Sequence, residues 1–408
     1  MPATVIASCS GALPPYTQFA KVPCYSPEPA RDELILEQTP RSRARAPTGN
    51  YLKKSGRDTV ILTEQDENAE YPTYGRQGTI SGLISVESRE SVSEVVLKVR
   101  GKLEVILPEG GSATTTLVDD RYTLWSSADS HTSTCPSSVP FAAVLPAKFQ
   151  DEAKTYPLPP SYEIAQTVIL VKISYTISLV VTRVRSRKLH FLSTSNTISI
   201  RFNYSPRTRP YRPIQPSVSG FLTDVKTMPE EWRQVVAQRK ARPTSAMQPI
   251  DIHLLIPAAE IYGLEDTIPF HVQLAGPVAS LREFLPDPAT TTSILGTLVR
   301  QIIIDVNGLS TACNVVIGYA KLFSCPPSAS APDSEASLDW EGEVRCKVDV
   351  AVGAFDAGVV RVQDFIVIDI RPPVGPASQF PALRHSHPIK FVTDSWLDSN
   401  PSRGEETR

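Results

Sequence analysis

The sequence contains none of the short motifs that mark common catalytic sites. It has no GxSxG elbow, no P-loop, no GxGxxG and no HExxH, and its histidines and cysteines form no paired metal-ligand pattern. No nucleophile stands beside a base, so we expect no enzyme activity, no catalytic residue and no cofactor. His385 and His387 could share one strand face, but nothing nearby in the sequence supplies further ligands. We therefore expect no metal site.

Long apolar runs and a leader-like N-terminus are also missing. No run approaches the ~18 apolar residues that a membrane span needs. Residues 1–16 lack the basic start and the long apolar stretch of a signal peptide. The six cysteines are scattered without a CxxC pair, which favours a reducing compartment. These absences predict a cytoplasmic protein with no transmembrane segment.

Net charge is small but unevenly distributed along the chain. The total is −2, yet residues 71–212 carry 17 basic and 11 acidic side chains, whereas residues 213–408 carry 16 and 23. The overall balance gives no reason to expect nucleic acid as a partner. A basic first half beside an acidic second half indicates an anionic partner for the first half, or attraction between the halves.

Apolar and polar residues alternate along many segments, as in half-buried antiparallel strands. The clearest segments are residues 93–107, 169–181, 197–204, 250–257, 267–274, 298–306 and 359–370. Many such strands predict an all-β protein built from two antiparallel β-sandwich domains. An internal repeat supports two copies of one design, because YGRQGTI at 74–80 shares four of seven residues with YGLEDTI at 262–268.

The pattern also predicts where the domains begin and end. The sandwiches are expected at 71–212 and 247–396, after a largely disordered segment at 1–70 and before a flexible tail at 397–408. The linker at 213–246 is expected to contain one short helix. Residues 227–242 favour it, with Thr227 as a possible N-cap, acidic residues in the first turn and basic residues in the last.

Residues 156–165, YPLPPSYEIA, contain a match to the PPxY pattern that WW domains bind. The matching residues are Pro159, Pro160 and Tyr162. WW recognition requires an exposed, extended peptide. The alternative is a proline-stiffened lead into the following strand, in which case the peptide belongs to the fold. We favour this structural interpretation.

Two clusters of basic residues are candidate sites for a phosphorylated or acidic tail, or for anionic lipid head groups. Arginine suits such ligands because its planar fork bonds two oxygens at once. The alternative is a solvated turn with charged neighbours. The first cluster is Arg183, Arg185, Arg187 and Lys188, and the second is Arg207, Arg209 and Arg212.

Several segments together resemble the arrestin family, most closely fungal arrestin-like proteins of the α-arrestin branch. They are YGRQGTISGLISV, SEVVLKVRGKLEV, FAAVLPAKFQDEAKTYPLPPSYEI, VKISYTISLVVTR, IYGLEDTIPFHVQLAG and VQDFIVIDIRPP, and the match covers roughly residues 71–396. The resemblance implies an arrestin N-like domain at 71–212 and an arrestin C-like domain at 247–396. In that family the LPPSY-like stretch lies inside the N-like domain, and recruiting PPxY motifs usually lie in a C-terminal tail. Residues 394–408 contain no PPxY.

The resemblance also implies a function. Such proteins are cytosolic adaptors that bind membrane-protein tails and direct them into endocytosis, sorting or ubiquitination, and many recruit a WW-domain, HECT-type ubiquitin ligase. We therefore expect a non-enzymatic adaptor recruited to plasma or endosomal membranes. The alternative is a peripheral membrane protein that binds anionic lipids through the basic face of the N-like domain.

Overall fold

The computed structural model describes residues 47–67, 69–108, 110–128, 134–151, 154–166, 169–184, 193–215, 221–285, 294–325, 336–372 and 378–396. Strands dominate these residues, as the alternating patterns predicted. They form two sheet-rich halves, and a short helix lies in the chain between them. The all-β fold class is therefore confirmed.

The first half consists of strands joined by short connections and one 3₁₀ turn at Arg89–Ser91. The strands are β1 (Gly49–Ser55), β2 (Asp58–Gln65), β3 (Thr73–Tyr74), β4 (Thr79–Val86), β5 (Val92–Leu107), β6 (Gly111–Ser126), β7 (Ser138–Val144), β8 (Lys148–Asp151), β9 (Lys154–Pro157), β10 (Tyr162–Gln166), β11 (Ile169–Val184) and β12 (Ser193–Tyr204).

These strands form two main sheets. One sheet has the order β1-β2-β4-β7 and the other has the order β3-β12-β11-β5-β6, with β10 pairing the start of β11. Strands β8 and β9 pair only with each other. In the β5–β11 ladder, buried residues such as Leu97 and Leu179 lie directly opposite each other. The period-two alternation gives the sheet one apolar face, and that face builds the core of the half.

The second half contains the remaining strands, two short helices and further 3₁₀ turns. The strands are β13 (Trp232–Arg239), β14 (Ile250–Pro257), β15 (Ile261–Gly263), β16 (Thr267–Gly276), β17 (Ile294–Val306), β18 (Leu309–Ser324), β19 (Ala336–Arg345), β20 (Phe355–Asp356), β21 (Val360–Ile370) and β22 (Leu383–Val392). The helices are α1 (Phe221–Thr227) and α2 (Val278–Leu281), and the 3₁₀ turns are Pro229–Glu231 and Arg282–Phe284.

The second half repeats the strand order of the first. The order β13-β14-β16-β19 corresponds to β1-β2-β4-β7, and β18-β17-β21-β22-β15 corresponds to β6-β5-β11-β12-β3. The additional strand matches too, since β20 pairs with β21 as β10 pairs with β11. One difference is that β18 also pairs with β19, through residues 320–324, so that the two layers join along that edge.

The sequence repeat lies at the equivalent place in each half. Tyr74 lies in β3, which runs parallel to β12, and Tyr262 lies in β15, which runs parallel to β22. Both tyrosines are buried. The shared residues therefore mark the short strand that pairs with the last long strand of each half.

The two halves pack directly against each other. Ile302, Ile304 and Val306 of β17 belong to the same buried apolar cluster as the first half. In the loop at the end of β17, Asn307 donates a hydrogen bond of 3.3 Å from Nδ2 to the carbonyl oxygen of Gly110. The described residues accordingly fall within one unit, Leu36–Arg408.

The helix predicted over residues 227–242 is wrong in its position. Helix α1 ends at Thr227, a 3₁₀ turn follows, and Trp232–Arg239 form strand β13, which pairs antiparallel with β14. The predicted linker therefore contains a helix, but the segment expected to form it extends the sheet of the second half.

The misassignment has a physical cause. β13 is an edge strand among the described residues, so it is polar at most positions and its period-two signal is weak. Its apolar residues Trp232, Val235 and Val236 follow the i, i+3, i+4 spacing typical of a helix.

The prediction of low order over residues 1–70 does not hold for 49–65. These residues form the β1–β2 hairpin, and Val60 and Leu62 are fully buried in the core. The hairpin is short and mostly polar on β1, so it shows few periodic apolar residues. Residues 1–46 and the predicted tail at 397–408 lie outside the described residues.

Candidate interaction site

The segment from Leu158 to Ser161 is docked against the first half of β11 and the end of β12. Leu158 and Pro159 are buried, and the Tyr175 hydroxyl donates a 2.6 Å hydrogen bond to the carbonyl oxygen of Pro159. Ser161 exchanges two hydrogen bonds of 2.9 Å with the backbone of Tyr204, one through its own N–H and one through its hydroxyl oxygen. Pro160 is half-buried.

Tyr162 begins β10 and faces the second half. Its ring packs edge-on against Phe355 at 5.4 Å between ring centroids, and burial raises the pKa of its hydroxyl. A WW domain needs both prolines and the tyrosine on one exposed, extended peptide. In this position the peptide presents neither Pro159 nor the Tyr162 ring freely.

Arg183, in the first predicted basic cluster, forms a buried ion pair with Asp58 of β2. Its Nη2 and Nη1 atoms donate to the two carboxylate oxygens of Asp58 at 2.5 and 3.0 Å. Asp58 is fully buried and also accepts a 2.9 Å hydrogen bond from Asn196 Nδ2. The Arg183 fork therefore neutralises a buried carboxylate and anchors the β1–β2 hairpin to the end of β11 and the start of β12.

The second basic cluster contacts the end of the last strand. Arg207 forms an ion pair with Asp394, with 3.0 Å between Nε and Oδ1, and Arg212 lies 3.9 Å from Glu231. Arg209 also interacts within the chain. The Arg207 pair joins the segment after β12 to the residues after β22, whereas Arg212 contacts the 3₁₀ turn before β13.

Arg183 and the second basic cluster lie at opposite ends of β12. Arg183 pairs across the ladder with Thr194, near the start of β12, whereas the second cluster follows the end of that strand. Ten residues of β12, 195–204, lie between Thr194 and the second cluster, which is roughly 33 Å at ~3.3 Å per residue. Arg185, Arg187 and Lys188 lie outside the described residues.

An open sheet edge on β1 was not recognised from the sequence. β1 pairs with β2 on one side, and no described strand pairs with its other side. Lys53 and Lys54 are exposed on this strand, and neither forms an ion pair with a described residue. Leu52, between Tyr51 and the lysines, is 62% exposed. Such an edge is a template for an added strand, and the lysines give it positive charge.

The outward face of β5 and β11 is a second positively charged surface. Lys98 and Lys102 project outward from β5, opposite Ser178 and Ser174 of β11. Between them, Arg100 forms an exposed ion pair of 2.9 Å with Asp119. The two lysines form no ion pair with a described residue, so this face presents cations among hydroxyl groups.

The histidines of β22 belong to no group of three potential metal ligands found among the described residues. His385 and His387 occupy alternate positions of the strand, and the His387 Nε2 atom lies 2.5 Å from Glu260 Oε1. Burial and the neighbouring His387 lower the pKa of His385.

A different group of residues has the chemistry of metal ligands. The potential ligand atoms of His271, Cys325 and Glu341 all lie within 4.8 Å of one another. These residues are far apart in the sequence and come together only through the register of three strands. No spacing motif in the sequence could have indicated them.

The carboxylate of Asp339 lies beside this group. It accepts hydrogen bonds from His271 at 2.9 Å, from Gln273 at 2.8 Å and from Ser337 at 2.6 Å. Burial alone would raise the pKa of Asp339, but the three hydrogen bonds outweigh it and hold the pKa below its usual value. Asp339 is therefore an ionised acceptor at neutral pH.

Comparison with known proteins places this chain in no family. No protein-family model matches it, and no curated protein sequence matches it. None of the described helices has the length and hydrophobicity of a membrane-spanning segment.

Proposed function

We propose that this chain is a non-enzymatic, arrestin-like adaptor that binds the cytosolic tails of membrane proteins. It links that cargo to endocytosis, sorting or ubiquitination, acts in the cytoplasm and is recruited to plasma or endosomal membranes. The observation that carries the proposal is the open edge of β1 with its two lysines, Lys53 and Lys54. Two sandwich halves with the same strand order support the arrestin-like part.

The proposed mode of binding is strand addition. An extended tail pairs its backbone with the outward N–H and C=O groups of β1, which no described strand uses. The backbone hydrogen bonds provide affinity that depends little on sequence. Specificity then comes from the side chains of the tail at alternate positions.

The charge of β1 selects the kind of tail. Lys53 and Lys54 are adjacent in the strand, so they project to opposite faces and flank an added strand on both sides. Acidic or phosphorylated residues in the tail would meet one lysine or the other. The binding should therefore weaken as salt concentration rises.

A WW-domain, HECT-type ligase remains a candidate partner of the proposed adaptor. The burial of Pro159 and the packing of Tyr162 on Phe355 argue against residues 159–162 as its contact. Recruitment through another part of the chain, or through the cargo, fits the proposal.

A second candidate function is peripheral binding to anionic lipid, and the outward face of β5 favours it. Lys98 and Lys102 lie among hydroxyl groups on a broad sheet surface. Each basic residue near an anionic membrane contributes about 1 kcal/mol. Two lysines alone give weak attachment, so we rank this function second.

The experiment compares two charge-matched double variants of the full chain. Lys53→Gln/Lys54→Gln removes the cations of β1, and Lys98→Gln/Lys102→Gln removes those of the outward face. Each protein is titrated with a fluorescent synthetic peptide carrying alternating phosphoserines, and with phosphatidylserine vesicles. Tail capture predicts that only the β1 variant loses peptide binding.

The outcomes separate the two functions. Vesicle binding that is lost only in Lys98→Gln/Lys102→Gln, with no peptide binding by the unmodified chain, would favour the lipid function. Peptide binding that persists in the β1 variant would refute capture at β1. A peptide N-methylated at alternate residues keeps its charge but loses backbone hydrogen bonds, and it should bind at least tenfold more weakly.

A further inference from the structure

Three neighbouring strands bring His271, Cys325 and Glu341 to one place in the second half. His271 of β16 lies directly opposite Glu341 of β19 in the antiparallel ladder. Cys325 follows β18, and its N–H donates a 2.8 Å hydrogen bond to the carbonyl oxygen of Asp339, which continues the β18–β19 ladder. The three side chains therefore occupy one side of the sheet, with their ligand atoms within 4.8 Å of one another.

The hydrogen bond to Asp339 defines which nitrogen of His271 carries the proton. Asp339 Oδ1 accepts from Gln273 Nε2, an amide nitrogen and therefore only a donor, and Asp339 Oδ2 accepts from the Ser337 hydroxyl. A carboxylate surrounded by donors makes His271 Nε2 the donor of their 2.9 Å hydrogen bond. The other nitrogen, Nδ1, is then the atom that can offer a lone pair to a ligand.

The Nδ1 atom of His271 is buried and has no hydrogen-bond partner. The residue is only 1% exposed, and its ring stacks on Phe221 of α1 with 4.3 Å between centroids and 1° between planes. Buried polar atoms are nearly always satisfied, so an unpartnered acceptor needs an occupant. The same group of side chains contains the Cys325 thiol and the Glu341 carboxylate, which are themselves cation ligands.

We propose that His271 Nδ1, the Cys325 sulfur and the Glu341 carboxylate bind one Zn²⁺ ion, and that Asp339 orients the histidine. The nitrogen, sulfur and oxygen donors suit zinc, whereas Ca²⁺ and Mg²⁺ take oxygen ligands. A histidine whose second nitrogen donates to a carboxylate is the usual arrangement around protein-bound zinc.

The site is close to the required geometry. The three ligand atoms now lie within 4.8 Å of one another. Zinc–ligand bonds of about 2.0–2.3 Å require them to lie closer together than that upper bound. Cys325 is half-buried and Glu341 is exposed, so rotation of these two side chains can close the gap while His271 stays fixed. Three protein ligands leave the fourth tetrahedral position to water.

Zinc at this site would stabilise the fold of the second half. It would cross-link β16, β18 and β19, and it would hold the histidine on which α1 stacks. A ligand that binds the folded chain raises its melting temperature, because the unfolded chain lacks the assembled site.

The test uses the full chain and four variants, and it leaves His271 unchanged because its buried ring stacks on Phe221. Cys325→Ser and Glu341→Gln alter the accessible ligands. Cys313→Ser is the matched control, because it removes another half-buried thiol, in β18, that lies outside the ligand group. Zinc is measured by mass spectrometry after dialysis, and affinity by competition with a chromophoric chelator. Co²⁺ replaces Zn²⁺ to report a thiolate charge-transfer band.

The unmodified chain and Cys313→Ser should each hold one more zinc equivalent than Cys325→Ser. Both should show the cobalt–thiolate band and a higher melting temperature with zinc. Glu341→Gln should bind more weakly, and Asp339→Asn should lose about 10- to 100-fold in affinity. The same zinc content and the same melting shift in Cys325→Ser as in the unmodified chain would overturn the proposal.

Discussion

The hydroxyl of Tyr175 donates a 2.6 Å hydrogen bond to the carbonyl oxygen of Pro159, and both groups are buried. The ring of Tyr175 lies over Gly101, its direct cross-strand partner, where an added Cβ would come within 2.6 Å of the ring. The glycine thus makes room for the ring, and the ring holds the proline segment. This relationship explains why the PPxY-like peptide behaves as part of the fold.

The first prediction concerns this hydrogen bond. Tyr175→Phe removes the donor and leaves the Pro159 carbonyl buried without a partner, so it should lower the free energy of unfolding by about 1–3 kcal/mol. Gly101→Ala should cost about 1–3 kcal/mol by crowding the ring. Urea unfolding measures both, and Ser178→Ala on the exposed face is the control, with an effect within about 0.5 kcal/mol. An unchanged unfolding free energy for Tyr175→Phe would contradict the docked segment.

The second prediction concerns Tyr162. Tyr162→Ala should destabilise the chain by about 1–3 kcal/mol, less than the 3–5 kcal/mol of a fully buried aromatic residue, because its ring is only partly buried. Tyr319→Ala is the control, since that ring is 61% exposed. The unmodified chain should not bind an isolated WW domain through residues 159–162. WW binding that disappears in Tyr162→Ala, with an unchanged melt, would show that the peptide is exposed.

The third prediction concerns the buried ion pair of Arg183 and Asp58. Arg183→Met leaves the Asp58 carboxylate buried without its cation, so we expect a loss of about 3–5 kcal/mol. The control is Arg100→Met, which breaks the exposed pair with Asp119 and should cost at most about 1 kcal/mol. Urea unfolding compares the two variants. Similar small losses in both would mean that Arg183 is free to bind an anionic ligand.

The fourth prediction concerns thiol reactivity. Burial raises the pKa of Cys346 to about 12, with the charge of Asp364 adding to the effect. At pH 8 only about one molecule in ten thousand carries its thiolate, so alkylation should be very slow. Mass spectrometry after iodoacetamide treatment should find Cys346 unlabelled until urea unfolds the chain. Rapid labelling of Cys346 in the native protein would contradict its burial.

The sequence predicts the long strands well because their two faces differ. β5 and β11 have one face in the core and one in solvent, so alternation shows clearly. β13 and β1 are edge strands with polar residues on both faces. Apolar and polar residues therefore do not alternate clearly along them, and the sequence does not predict them. The repeat at 74–80 and 262–268 was readable because equivalent short strands need the same buried tyrosine.

The candidate sites were harder to predict because they depend on strand pairing. Arg183 looked like a surface cation until the fold placed Asp58 beside it, 125 positions away in the chain. His271, Cys325 and Glu341 meet only through ladder register. The lysines of β1 form a site only because the strand lies at an edge.

Hydrogen exchange on the full chain tests the central claim, capture of a tail along β1, most directly. Exchange is measured with and without the alternating phosphoserine peptide. We expect slower exchange of the backbone amides in residues 49–55, because an added strand would hydrogen-bond the open edge. The Lys53→Gln/Lys54→Gln variant should lose this protection. Peptide binding without any protection of β1, or with protection confined to β5 and β11, would contradict the claim.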